Sequence, residues 1–285
     1  MRFFFKPKVT IVCILLMLGM IRLSVWQWHR HLWKIALIEE MDAHLAEAPV
    51  PLPALIDDAK KSTEPDFWGS TIHRRVIVDG TYDFEHEMVL RNRRYENAAG
   101  MHVLTPLHIS GTNSTLIVDR GFIPLSQSEP EQRKKYRAED AAHFVGLVKE
   151  SNEPYWIAPQ DPPTGTGLPW VDAWLRVDIQ KISKQLPYSV LPVYVEIMDT
   201  TDPKTAESEI VKSSNGREEL LIPGMREEDA ATRPDVDPNL KYPVPSFDPV
   251  TPPDIHLGYV YEWAIMAAMT CLIGFVLQLR PPRQA

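Results

Sequence analysis

The sequence predicts a membrane protein in which two transmembrane α-helices flank an α+β extracytoplasmic domain dominated by an antiparallel β-sheet or small barrel. Three observations carry this expectation. Residues 9 to about 25 are apolar apart from Arg22 and Ser24. Residues 255–279 form a second apolar run of about 25 residues, enough to cross a roughly 30 Å hydrocarbon core with some tilt. Between the two, from Ile72 onward, short β-rich runs end at turn residues with little helical pattern separating them.

Residues 1–8 read as a cytoplasmic stub, because Arg2, Lys6 and Lys8 stay inside by the positive-inside rule. The first span, 9–28, is longer than a signal-peptide core, lacks a small-residue cleavage motif and continues into bulky aromatic sequence, so an uncleaved anchor is expected. It exits through Trp26-Gln27-Trp28-His29-Arg30-His31-Leu32-Trp33-Lys34, where Trp26, Arg30 and Trp33 share a helical face. An interfacial aromatic belt with snorkelling cations also explains that face. Residues 29–53 are expected to be a stalk: a juxtamembrane helix through Met41, then the linker Pro49-Val50-Pro51-Leu52-Pro53.

Residues 54–199 form the β-rich domain, periplasmic in a bacterium. Strands are expected over 73–78, 88–90, 101–107, 115–118, 143–148 and 193–197, with Arg91-Asn92-Arg93-Arg94 as a turn. Helical spacing predicts helices over 132–141 and 174–186. Residues 200–253 are an acidic, proline-bearing insertion and tether, too polar to order well, with a short edge strand over 220–222. Pro252 and Pro253 block helical entry, Asp254 is the expected cap, 254–279 is the second span, and 280–285 is a cytoplasmic stub with Arg280 and Arg283.

Composition excludes several function classes. The net charge of −8 argues against nucleic acid, which selects a basic face. The two cysteines, Cys13 and Cys271, both fall in the apolar runs, leaving the domain without a thiol for a disulfide, zinc or copper site. There is no Gly-x-Ser-x-Gly elbow, Gly80, Gly100 and Gly111 form no phosphate loop, and the loop 162–167 lacks a Lys. No catalytic set emerges, so an enzyme is not expected. Pro106, between His102 and His108, argues for a bend and against a shared metal site.

The mouth of the second span gathers unusual chemistry. His256 falls in the first helical turn, where the dipole favours a neutral imidazole, the form that a metal or haem iron takes. At about 100° per residue, His256, Tyr259, Val260, Trp263 and Ala267 share a face, with Glu262 at its edge. Interfacial preference explains Tyr and Trp equally well. Glu262 is different, since a carboxylate roughly two turns into a span is costly unless neutral, paired or near water. Arg91, Arg93, Arg94 and Arg120 read as a cluster at strand ends, suited either to solvating the sheet end or to binding lipid head groups or haem propionates.

Several segments resemble the Surf/Shy (surfeit locus) family of cytochrome c oxidase assembly factors. Trp26-Gln27 with Arg30, Trp33-Lys34 and Leu37-Ile38 resembles the family's opening motif. Val78-Asp79-Gly80-Thr81-Tyr82-Asp83, Leu104-Thr105-Pro106-Leu107 and Leu116-Ile117-Val118-Asp119-Arg120-Gly121-Phe122-Ile123-Pro124 are similar to its strand motifs, in the same order. His256-Leu257 with Tyr259 and Trp263 resembles the start of its second span, although Asp119 and Asp254 stand where the family carries Asn.

The resemblance implies an assembly role, helping haem a into the catalytic subunit of a haem-copper oxidase. It implies transient haem a as cofactor, with His256 as iron ligand; the residues around it suggest Tyr259 and Trp263 walling the site, and Glu262 or an arginine such as Arg30 or Arg120 handling polar groups. Implied partners are the oxidase catalytic subunit, haem a biosynthesis enzymes and membrane lipid; a bacterial inner membrane with both termini cytoplasmic is expected from the flanking cations and from the lack of an Arg/Ser-rich presequence before the first apolar run. A scaffold that stabilises an assembly intermediate without binding haem is the alternative.

Overall fold

The computed structural model describes residues 2–95, 98–137, 141–154, 157–198, 240–246 and 252–280. The chain divides into two compact units, Met1–Glu40 with Val250–Ala285, and Met41–Pro249.

In chain order, strand β1 (Arg2–Phe3) precedes helix α1 (Pro7–Ala46). Strand β2 (Val50–Pro51) then leads directly into helix α2 (Leu52–Lys61). The expected linker at 49–53 is therefore part of the fold: Val50 and Pro51 pair in parallel with Val76 and Ile77, and Leu52 is completely buried. Proline suits both places, as an edge-strand residue and in the first turn of a helix, where no N–H is needed.

Seven strands follow: β3 (Arg75–Tyr82), β4 (Met88–Tyr95), β5 (Ala98–Ile109), β6 (Thr115–Pro124), β7 (Ala141–Glu150), β8 (Ala173–Trp174) and β9 (Val190–Ile197). The order β3-β7-β9-β6-β5 closes on itself through a second β3–β5 pairing, so five strands form a barrel. Most of the expected small barrel is thus present, but it is not purely antiparallel: β6 pairs with β9 in parallel, as do β2 with β3 and β4 with β8. Gly80 lies at the closing seam opposite Ile109, where any side chain would collide with Leu107 and the His108 carbonyl.

Period-two alternation explains the two cores. Leu116 and Val118 point into the barrel with Val76, Val78, Leu107 and Val195, and α2 caps this interior with Leu52, Leu55 and Ile56. Ile117 points outward, joining Met88, Leu104, Trp174, Val177 and Ile182 in a second cluster. Every residue of β6 is buried, because both of its faces are covered.

Four expectations are corrected here. Arg91, Asn92, Arg93 and Arg94 lie within β4, which bulges between Leu90 and Arg93 with Asn92 at φ 61°, so pairing with β5 overrides the turn-like composition. Trp174 sits in β8; the only α-helix in that stretch, α4 (Ile179–Ile182), is short and capped by the Asp178 carboxylate. Upstream, among the described residues of the expected helix over 132–141, there are only the end of α3 (Pro130–Arg133), one 3₁₀ turn and the first residue of β7. Pro106 does not interrupt β5, since it sits opposite Ile117 where the ladder continues.

Most of the expected insertion, including 220–222, lies outside the described residues. Its described end belongs to the domain: Val244 exchanges both backbone hydrogen bonds with Phe122, at 2.8 and 2.9 Å.

The second long helix, α5 (Pro253–Val276), starts with Pro252 as its cap residue, so Asp254 lies inside the first turn and does not cap it. Strand β10 (Leu279–Arg280) then pairs with β1. Both α1 and α5 are long and apolar enough to cross a membrane.

His73 precedes β3 with φ 66° and donates its N–H to the Val148 carbonyl at 2.8 Å. Burial of its ring, with the charges of Lys149 and His44 nearby, pushes its pKa down to about 4. The folded state then holds fewer protons than the unfolded state between about pH 4 and 6.5, so His73 costs no stability above pH 6.5 and progressively more below it. His73→Asn, whose side chain tolerates positive φ, is expected to flatten the thermal stability profile over that window, by about 2 kcal/mol at its acid end after allowance for solvent at this half-buried ring. Parallel profiles for the two proteins would show that the fold does not keep this ring neutral.

Candidate functional site

Within the helix unit, α1 and α5 run antiparallel along a seam of partly buried residues. On α1 these are Cys13, Met17, Met20, Ser24, Gln27 and His31, and on α5 His256, Val260, Trp263, Ala267, Thr270 and Gly274. Both runs step by alternating fours and threes, the spacing of a coiled-coil stripe. Polar groups occupy the end that carries His256. The Ser24 hydroxyl donates to the Val260 carbonyl at 3.0 Å, and His31 Nδ1 to the Pro253 carbonyl at 2.8 Å. His256 Nδ1 faces the Gln27 Oε1 carbonyl at 2.9 Å.

That last contact sets the chemistry. An amide oxygen only accepts, so in the neutral imidazole Nδ1 carries the proton and Nε2 keeps its lone pair. Metal-binding histidines characteristically have one ring nitrogen fixed by an acceptor while the other ligates. Trp263 lies two turns further along the same face, half-buried, while Tyr259 is exposed on the flank. Glu262 is exposed, away from the seam. The Arg30 guanidinium lies over the Trp33 ring, 4.2 Å from its centroid. Of the expected residues, the structure places His256 and Trp263 on the seam, while Arg30 is exposed and stacked on Trp33 of its own helix. It adds Gln27 and His31, whose fours-and-threes spacing in the sequence was the available signal.

Arg120 belongs to the barrel unit, buried in the middle of β6 and not at a strand end. Its guanidinium contacts Glu87 at 3.3 Å and the Tyr136 carbonyl at 2.6 Å, beside the Tyr82 and Phe84 rings. Arg133 reaches the other Glu87 oxygen at 3.4 Å and grips Asp172 with two bonds, while Arg137 approaches Glu87 at 3.8 Å. Burial pushes the Glu87 carboxyl up in pKa, and the three guanidiniums pull it back only in part.

Sequence reasoning also missed a second barrel cluster. His102 Nδ1 lies 2.9 Å from Asp119 Oδ2, and the Ser246 hydroxyl lies 2.9 Å from His102 Nε2. The three residues are far apart in the chain, and no local spacing announces them.

A family model described as the SURF1 family matches residues 14–268. Surfeit locus protein 1 of Mus musculus is 29% identical over 178 residues, covering 57% of this chain and 53% of that protein. The Homo sapiens protein of the same name is 29% identical over 150 residues, covering 47% of each chain. That of Takifugu rubripes is 30% identical over 150 residues, covering 47% of this chain and 59% of the relative. The chain therefore aligns with about half the length of these curated relatives.

The Glu87 cluster yields a direct prediction. Glu87→Gln leaves buried guanidiniums facing a neutral amide, and a loss of about 3 kcal/mol in unfolding free energy is expected by denaturant titration. An unchanged midpoint would show that the carboxylate is not needed to hold the cluster.

Proposed function

Because this chain belongs to the SURF1 family, we propose that it is a membrane-anchored assembly factor for a haem-copper (cytochrome c) oxidase. In this reading it receives haem a from its biosynthesis enzymes and assists its insertion into the oxidase catalytic subunit. The chain lies in a bacterial inner membrane, with α1 and α5 in lipid, the barrel in the periplasm and both termini cytoplasmic. Arg2, Lys6 and Lys8 before the first apolar run and Arg280 and Arg283 after the second support that orientation.

The observation that carries the haem reading is the Gln27 contact to His256 Nδ1, which leaves Nε2 available as a donor atom. The residues present fit the group. Bound haem supplies an iron that accepts imidazole, a flat apolar ring and two anionic propionates. His256 would hold the iron, the Trp263 and Tyr259 rings would line the macrocycle, and Arg30 with Lys34 would offer cations to the propionates. Gln27 keeps the imidazole in one tautomer and one orientation. Binding and release of this kind require no bond-making by the chain itself.

One feature favours the scaffold reading. Between the helices lies a cavity of about 360 Å³, lined by small and apolar residues including Ser24, Val25, Ala264, Ala267, Ala268 and Cys271. Small residues let another helix approach closely in lipid, and such docking needs no haem.

The deciding experiment is an absorption spectrum and pyridine haemochrome assay on the detergent-purified chain, coexpressed with haem a biosynthetic enzymes. Wild type is expected to carry haem a, His256→Ala to lose it, and Gln27→Ala to bind about 10–100-fold more weakly. Equal haem in wild type and His256→Ala removes His256 as ligand. Neither protein holding haem, while both copurify with the oxidase catalytic subunit, selects the scaffold.

A further inference from the structure

We propose that Ser246 is a histidine-activated nucleophile, with His102 as its general base and Asp119 orienting that base, giving the barrel an acyl-transfer site for carboxylic esters. This proposal is independent of haem and of the helix pair.

The geometry follows from three backbone devices. The β5–β6 register shifts between His102 and Leu104, and this bulge sets His102 beside Asp119. Gly121, at φ 106°, lets the chain at Val244 press against β6, where any side chain at position 121 would strike the Val244 carbonyl. The two-way backbone exchange between Phe122 and Val244 then fixes Ser246, two residues on.

The hydrogen bonds are directional. Asp119 Oδ2 accepts from Nδ1, and its other oxygen accepts the Gly121 N–H at 2.9 Å, so the carboxylate is held at both ends. With Nδ1 protonated, Nε2 is the basic nitrogen, and the Ser246 O–H donates to it at 2.9 Å. This is the nucleophile–base–orienter order of an acyl-transfer triad.

Burial argues against a merely structural clip. Asp119 and His102 are 2% and 3% exposed, and among the described residues Asp119 has no cationic partner other than His102 itself. A buried carboxylate without a cation is costly, and a neutral amide would tie His102 to β6 equally well. Asp is the better residue only where the imidazole must become positively charged, which happens when it takes a proton from Ser246. Ser246 itself is half-buried, so it is the one member that a ligand can reach.

In the proposed step Ser246 Oγ attacks the ester carbonyl carbon while its proton passes to His102 Nε2. The carbonyl carbon to alkoxy oxygen bond then breaks, the departing alcohol takes that proton, and an acyl-Ser246 remains. Water, deprotonated by His102, releases the carboxylic acid and restores the hydroxyl.

The test treats the detergent-purified 285-residue chain with a fluorophosphonate probe, in which the serine oxygen displaces fluoride from phosphorus. Expected is a single adduct located by peptide mass to Ser246, absent in Ser246→Ala and in His102→Ala, with labelling slowed at least about 100-fold in Asp119→Asn. Hydrolysis of p-nitrophenyl butyrate is expected to fall in parallel. Thermal melts identify variants that fail to fold, and Ser246→Ala, which alters only a half-buried hydroxyl, keeps the test decisive if His102→Ala does not fold. No adduct on folded wild type, labelling indifferent to Asp119→Asn, or an adduct on another serine each overturns the proposal. Haem content of the same samples is expected to be unaffected by Ser246→Ala, separating this outcome from that of the oxidase reading.

Discussion

Closure of the barrel at the β3–β5 seam is the constraint on which the larger unit depends. Five strands can satisfy all of their inner ladders only if β3 reaches both β7 and β5, and Gly80 lets the backbones meet there. Once closed, the barrel has an interior small enough for valines and leucines to fill, and α2 seals one end. The outer faces of β5, β6 and β9 then need covering, which the segment around Trp174 and α4 provides.

Covering both faces of the central strands has an electrostatic consequence. Polar groups on β6 become buried wherever they fall, and each must be paired within the fold. Arg120 and Asp119 are neighbours in sequence, yet alternation sends them to different partners. Arg120 joins the Glu87 cluster, and Asp119 holds His102. The first arrangement cross-links β6 to the segment ending at Tyr136; the second reaches Ser246, near the chain's return toward α5. The ion cluster and the proposed acyl-transfer site are therefore built from adjacent residues of one strand.

How much of this was legible in the sequence depended on whether a feature is local. The two long helices were readable because apolar length is a property of a single segment. Strand cores such as Leu116, Ile117 and Val118 were readable for the same reason. Arg91-Asn92-Arg93-Arg94 misled, because its composition is that of a turn while pairing with β5 on both sides of a bulge keeps it within β4. Trp174, Val177 and Ile182 misled differently: their spacing fits a helix, yet they share a cluster because the segment crosses the barrel's outer face. Pairing between distant segments, as in Gln27 with His256 or Ser246 with His102, leaves no trace in local pattern. The fours-and-threes stripes on α1 and α5 are the exception, since each is visible alone and only their complementarity is not.

The polar character of that helix seam is itself informative. In lipid there is no hydrophobic force drawing two apolar helices together, so packing and interhelical hydrogen bonds decide the register. An all-apolar seam of Leu and Val would serve a simple anchor. This seam instead spends Ser24, Gln27, His31 and His256 at one end, each on a polar partner in the opposite helix. Hydrogen bonds of this sort are worth roughly 0.6–2 kcal/mol apiece in membranes, a modest return for four polar side chains. Anchoring alone explains His31, which closes on a backbone carbonyl, but not His256, which a Leu or Val could replace. What His256 adds is a fixed imidazole with one nitrogen committed to Gln27 and the other open. In the proposed reading this imidazole is a ligand site that also sets helix register, so that a ligand bound at His256 would act on the pairing of the two helices.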